Sequence, residues 1–182
     1  MKKMKPKYAF VLAGVIALAL FIIFTGYTSI LSNNSSGTSI VRTNTKLKAF
    51  TATTPLGDPY VAPKNEGVVV YEAFASWCLP CRQSVPEAIS FAKNHPDVPV
   101  IGIAYRDVSF EIAKFEKKYG SFESTIKSTG QIEKSFGLKS IPQTLFVVNG
   151  TIRYRLYGSP SEEDLDNVLS LVEGELAGSK DR

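Results

Sequence analysis

Between residues 67 and 176, short apolar runs alternate with longer segments whose apolar residues recur at helical spacing, and this pattern restricts the chain to a layered α/β fold. Residues 67–76, GVVVYEAFAS, form a β-branched and aromatic run that can be buried on both faces. Residues 82–94 then carry Val85, Ala88, Ile89 and Ala92 at helical spacing, with Pro86 marking a kink. Residues 98–104 read as a second core strand. Val108, Ile112, Phe115 and Tyr119 recur at i, i+4, i+7 and i+11, which predicts a second amphipathic helix. A shorter helix over 132–136 stops at Gly137.

Residues 144–148 and 151–157 flank Asn149 and Gly150, a strong hairpin signal. The same Asn149, Gly150 and Thr151 match a glycosylation sequon, but the turn reading explains both neighbouring strands. Ser161 and Asp164 have capping-box spacing ahead of Leu165, Val168, Leu169, Val172 and Leu176, the apolar face of a last helix. The order is βαβα(α)ββα: a sheet with helices on both faces and an antiparallel final pair. Residues 46–61 read as a short strand or hairpin at the sheet edge.

With 182 residues, the chain has room for one membrane anchor and one small domain, but not for two full domains. Its net charge of +4 looks like a nucleic-acid signal until the charges are located. Lys2, Lys3, Lys5 and Lys7 all precede the first apolar run; without them, 17 basic residues face 17 acidic ones, so no basic excess remains to hold a phosphate backbone. From Tyr8 to Leu31 run 24 uncharged residues, which as a helix span roughly 36 Å, enough for a hydrocarbon core of about 30 Å. The exit, from Phe24 to Ser29, offers no convincing AxA-like cleavage pattern, so residues 1–31 read as an uncleaved signal anchor rather than a removed leader. No cysteine stands near the exit for a lipoprotein anchor.

The lysines set the orientation: the basic flank stays in the cytoplasm and the rest crosses. Residues 32–45, mostly Ser, Thr, Asn and Gly, have the composition of a flexible linker with a reach of roughly 20 Å. The domain of residues 46–182 is thus expected outside the cytoplasm, close to the membrane.

Trp77, Cys78, Leu79, Pro80 and Cys81 follow the first core strand and open the first helix. A helix N-terminus carries partial positive charge and unpaired N–H groups, which favour a thiolate over a thiol, and Cys78 is the cysteine placed to benefit. At the ordinary thiol pKa about 3% of Cys78 would be ionised at pH 7; a pKa near 7 gives about half. Two intervening residues let Cys81 reach back over one turn and close a disulfide with Cys78.

An even cysteine pair outside the cytoplasm is most often structural, yet a bridge across two residues removes little unfolded-state entropy, so reactivity explains the spacing better. A c-type haem site needs His after the second cysteine, where Arg82 stands. Metal binding by the pair and His95 lacks further soft ligands, and no zinc site is expected. His95, before Pro96 at a helix end, reads as a surface residue. No cofactor motif is present.

The run EAFASWCLPC, followed 61 residues after Cys81 by Ser140, Ile141, Pro142, Gln143 and Thr144 ahead of a strand, resembles the thioredoxin fold. Residues 101–120 and 136–158 resemble more closely its membrane-tethered bacterial branch, the cytochrome c biogenesis thioredoxins and relatives of the CcmG/DsbE, ResA and TlpA types. The resemblance spans about residues 65 to 175. It implies a thioredoxin-like α/β domain, a central mixed sheet flanked by helices, behind the transmembrane helix. Cys78 would be the attacking cysteine and Cys81 the resolving one. Pro142 would be the cis proline facing the disulfide, and Ile141 would offer its backbone to an extended substrate, with Trp77 and Gln143 beside it.

Glu72, six residues before Cys78, stands where the fold commonly keeps a buried acid. Its apolar neighbours should raise its pKa, so that it could relay the proton of Cys81. Two positions depart from the cytochrome c branch: Ser84 where an acid is common three residues after the second cysteine, and Gln143 where Glu often follows the cis proline. Both weaken the haem-pathway substrate assignment without touching the redox chemistry.

The resemblance implies a thiol/disulfide oxidoreductase that reduces disulfides of extracytoplasmic proteins, apocytochrome c foremost, with a membrane thiol reductase as electron donor. The alternatives are an oxidase or isomerase in the same compartment, and a non-enzymatic module that binds a metal or partner.

Overall fold

The structure is a computed structural model that describes residues 37–60 and 67–180. The expected membrane-spanning segment, 8–31, lies outside the described residues; among these, no helix is long and apolar enough to cross a membrane. Eight strands and four helices are described: β1 (Ser39–Lys46), β2 (Ala52–Thr53), β3 (Pro59–Tyr60), β4 (Val68–Phe74), α1 (Cys81–Asn94), β5 (Val100–Ala104), α2 (Ser109–Tyr119), β6 (Ser124–Lys127), α3 (Gly130–Phe136), β7 (Gln143–Val148), β8 (Thr151–Tyr157) and α4 (Glu162–Lys180).

Six strands form one mixed sheet in the order β1-β8-β7-β4-β5-β6. β4, β5 and β6 are parallel, while β7 and β8 run antiparallel to their neighbours. β4 is central and buried along almost its whole length, as its apolar run, interrupted only by Glu72, requires. Because side chains alternate across a strand, β4 feeds two cores. Val70 and Phe74 pack with residues of α1, α2 and α4, among them Val85, Phe91, Ile112, Phe115, Leu165 and Val168. Val69, Tyr71 and Ala73 face the opposite side, with Ile132 and Phe136 of α3.

The local signals act as their chemistry dictates. Asn149 and Gly150 both have positive φ, 49° and 72°, the hairpin-turn conformation. Gly137 ends α3 in the left-handed conformation at φ 63°. Ser161 and Asp164 exchange bonds ahead of α4: the Asp164 carboxylate accepts from the Ser161 backbone at 2.9 Å, and the Ser161 hydroxyl accepts from the Asp164 backbone at 3.2 Å.

Three expectations are corrected. From Ser39 onward the stretch read as flexible linker is a strand, antiparallel to β8; it is an edge strand exposed along nearly its whole length, so it carries no apolar alternation to betray it. β2 and β3 do form a hairpin, but as a separate two-stranded sheet rather than an edge of the main one. Val108 is not on the buried face of α2; it is the exposed N-cap residue, and only Ile112 and Phe115 are buried there.

Candidate active site

The link between β4 and α1 places both cysteines at the C-terminal end of the central strand. Cys78 and Cys81 are joined by a disulfide with their Cα atoms 5.3 Å apart. Cys81 is the first residue of α1, Pro80 is its N-cap, and no side chain caps the helix. One free N–H of the first turn finds the sulfur instead: the Cys81 backbone N–H donates to Cys78 Sγ at 3.2 Å. The first turn holds no acidic residue to oppose negative charge on that sulfur. Cys81 is fully buried and Cys78 nearly so, while Trp77 and Leu79 beside them stand out into solvent, 59% and 68% exposed.

The loop carrying this motif is held from two sides. After β5, the Asp107 carboxylate accepts from the Ser76 backbone N–H at 2.6 Å and from its hydroxyl at 3.1 Å. After β8, the Ser159 hydroxyl donates to the Pro80 carbonyl at 3.0 Å. The preceding residue, Gly158, donates its N–H to the Pro142 carbonyl at 3.4 Å, so the end of β8 ties the cysteine loop to the loop before β7. The Ile141–Pro142 peptide bond is cis. Neither Asp107 nor Ser159 is singled out by the sequence reading. Asp107 carries a signal, an aspartate just ahead of a helix start; Ser159 carries none.

Glu72 is fully buried on β4. Its row partner on β7 is Thr144, whose hydroxyl donates to Glu72 Oε2 at 2.6 Å. Burial pushes the carboxyl up to about 7, against the opposing effects of the Thr144 and Ser84 hydroxyls. Ser84 bears on the carboxyl without a hydrogen bond of normal geometry, since its hydroxyl and Glu72 Oε1 both lack a partner. Ser84 lies one turn beyond Cys81 on the buried side of α1, so the carboxyl sits beneath the start of that helix.

The other expected residues separate. Trp77 is on the exposed rim, and Ile141 is half-buried against both cores. Gln143 stands elsewhere than expected. It is fully buried, and its backbone lies between Ala73 of β4 and Tyr157 of β8. Thr144 next to it faces Glu72, so the Gln143 side chain points to the opposite face of the sheet, where its amide has no hydrogen-bond partner among the described residues. His95 sits on Phe91 and meets Asp166 at 2.9 Å, a link between α1 and α4 away from the cysteines. No group of three metal-ligating side chains occurs among the described residues.

A Redoxin family model matches residues 42–169. The chain is 32% identical over 110 residues to the thiol:disulfide interchange protein CycY of Rhizobium leguminosarum bv. viciae, a match that covers 59% of this chain and 55% of that protein. It therefore spans about half the length of that curated relative. Among solved structures it is similar to dsbF of MTB, with a TM-score of 0.61 and 25% identity over 67% of this chain and 93% of that one. It is also similar to a thiol:disulfide interchange protein of the thioredoxin family from Chlorobium tepidum TLS, with a TM-score of 0.63 and 20% identity over 72% and 97% of the two chains. The fold is thioredoxin-like, with the central mixed sheet expected from the sequence.

Proposed function

Because the chain belongs to the Redoxin family, we propose that it is a thiol/disulfide oxidoreductase, tethered to the membrane by residues 8–31, that reduces disulfides of extracytoplasmic proteins. The observation that carries this reading is the Cys81 N–H directed at Cys78 Sγ at the uncapped start of α1. That donor, with the helix dipole, stabilises charge on sulfur 78 once the disulfide is opened.

In the reduced protein the Cys78 thiolate attacks one sulfur of a substrate disulfide, and the other substrate sulfur leaves as a thiolate. Cys81 then loses its proton and attacks Cys78, forming the internal disulfide and releasing the second substrate thiol. Two electrons pass from the cysteine pair to the substrate. Glu72, with a pKa of about 7, takes up the Cys81 proton without a large energy mismatch. A membrane thiol reductase restores the dithiol. Exposed Trp77 and Leu79, with the Ile141 backbone before the cis proline, offer an extended polypeptide an apolar rim and a main-chain partner. Apocytochrome c cysteines are the leading substrate, on the sequence resemblance to the cytochrome c biogenesis branch.

Replacing Cys81 with Ser removes the resolving thiol. The variant should accumulate mixed disulfides through Cys78 with extracytoplasmic proteins, and recovery of none would contradict the enzymatic reading. The direction is tested by the reduction potential: a value near −120 mV, that of a strong oxidant, would overturn reduction in favour of oxidation.

A further inference from the structure

Of the eight large apolar side chains exposed among the described residues, four gather at one end of the sheet: Trp77, Leu79, Val108 and Phe110. β4 and β5 are neighbouring parallel strands with Phe74 opposite Ala104, so the loops that follow them leave the sheet side by side. The two bonds from Ser76 to Asp107 fasten those loops together and set Val108 next to the loop that holds Trp77. β7, which begins just after Pro142, pairs with β4 on its other side. The disulfide thus lies between the cis-proline loop and the start of α2.

The exposed side of α2 continues from this apolar end as a basic face. Lys114, Lys117 and Lys118 follow Phe110 at i+4, i+7 and i+8 and share its side of the helix. Lys114 Nζ lies 5.6 Å from the centroid of the Phe110 ring. Of the acidic residues of α2, Glu111 is 3.6 Å from Lys114, and Glu116 accepts the Thr125 hydroxyl at 2.5 Å. Lys117 and Lys118 have no carboxylate partner among the described residues.

We infer that Val108, Phe110 and the lysine face of α2 form a second docking site for the polypeptide whose disulfide is exchanged, fitted to a segment with an apolar side chain followed by carboxylates. The inference rests on the thiol/disulfide exchange reading. Its occupant follows from continuity with the rim of the disulfide and from charge complementarity. A segment paired with Ile141 on one side of the disulfide would then be gripped on the other side as well, and selection among substrates would come from α2.

The test uses the full chain in detergent and two disulfide-bonded peptides that share their cysteines and an adjacent Leu but carry Glu-Glu or Lys-Lys beyond it. The wild type should reduce the acidic peptide about tenfold faster at low salt, through a lower KM, and the preference should fade in high salt. It should vanish in Val108→Ser/Phe110→Ser and in Lys114→Gln/Lys117→Gln/Lys118→Gln. Both variants should still reduce glutathione disulfide, which lacks the flanking segment, at the wild-type rate. Equal rates for the two peptides, or a preference that survives in the variants, would overturn the inference. Unchanged peptide rates, with loss of a dimer in Val108→Ser/Phe110→Ser, would assign the face to a second copy and overturn it too. A wild type inert toward peptides and glutathione disulfide alike would fail at the exchange reading beneath it.

Discussion

The Thr144 hydroxyl donates a 2.6 Å hydrogen bond to Oε2 of the buried Glu72, while Oε1 of the same carboxyl has no hydrogen-bond partner among the described residues. The two oxygens are therefore unequal: Oε2 is occupied by a donor, so a proton arriving on the carboxyl binds at Oε1. Thr144 also stands two residues beyond Pro142, which joins the buried carboxyl to the cis-proline loop through one strand.

Thr144→Val removes the donor that favours the charged form, so the Glu72 pKa should climb further above about 7. We expect the limb of the pH–rate profile governed by Glu72 to move up by about one pH unit. Thr144→Ser, which keeps the hydroxyl, should leave it in place. Single-turnover oxidation of the reduced chain across pH checks both; an unmoved limb in the valine variant would contradict the role given to Thr144.

Glu72 also makes stability depend on pH. Its folded pKa of about 7 lies above the ordinary 4.5, so between these values the native state holds a proton that the unfolded chain has released. Its contribution is fully present below pH 4.5 and is lost as pH rises through 7, to a total of about 3 kcal/mol. Glu72→Gln should be more stable than wild type by about 3 kcal/mol at pH 8 and nearly equal at pH 4. Urea unfolding at the two values measures this; equal stability at pH 8 would contradict the buried-carboxylate account.

Gly102 lies beside Glu72 in the adjacent strand. A Cβ there would meet the Phe122 ring at 2.6 Å, Thr125 Oγ1 at 2.9 Å and the Phe74 ring at 3.0 Å. Gly102→Ala should cost about 1–3 kcal/mol by overpacking, read as a lower unfolding midpoint; a neutral result would show that the two rings part freely.

Asp107 fixes the loop that precedes Cys78. Asp107→Ala leaves the Ser76 N–H and hydroxyl without their acceptor and should cost about 2 kcal/mol. Trp77 is the only tryptophan, so its fluorescence reports on this loop alone. Acrylamide should quench it more strongly in the variant than in the wild type, and identical quenching would mean that the loop does not need Asp107.

What the sequence discloses depends on burial. β4, α1, β5, β7, β8 and α4 carry dense apolar patterns because both their faces, or one whole side, meet the core, and each stands where periodicity places it. β6 escapes because it has only four residues, of which Thr125 and Ile126 alone are buried, too few for a period to show. β1 escapes because it is exposed; its place is decided by backbone pairing with β8, which leaves no trace in side-chain type.

In the site, the cysteine pair and the buried Glu72 are legible as a motif and as an acid amid apolar neighbours. Ser159 and Thr144 act through contacts with residues more than seventy positions away, and nothing local marks a hydroxyl for such a task. Gln143 deceives for a related reason: its neighbours Ile141 and Pro142 suggest a surface position, and the strand that starts there turns its side chain inward.

Disulfide exchange by this chain depends most on the acidity of the Cys78 thiol. With the chain reduced, the rate of alkylation by iodoacetamide can be followed at each cysteine from pH 4 to pH 10 by peptide mapping. Cys78 should react first, with a midpoint below that of an ordinary thiol because the Cys81 N–H and the start of α1 favour the thiolate, while buried Cys81 stays protected. A midpoint for Cys78 at about 8.5, the value of an ordinary thiol, or faster labelling of Cys81, would contradict it.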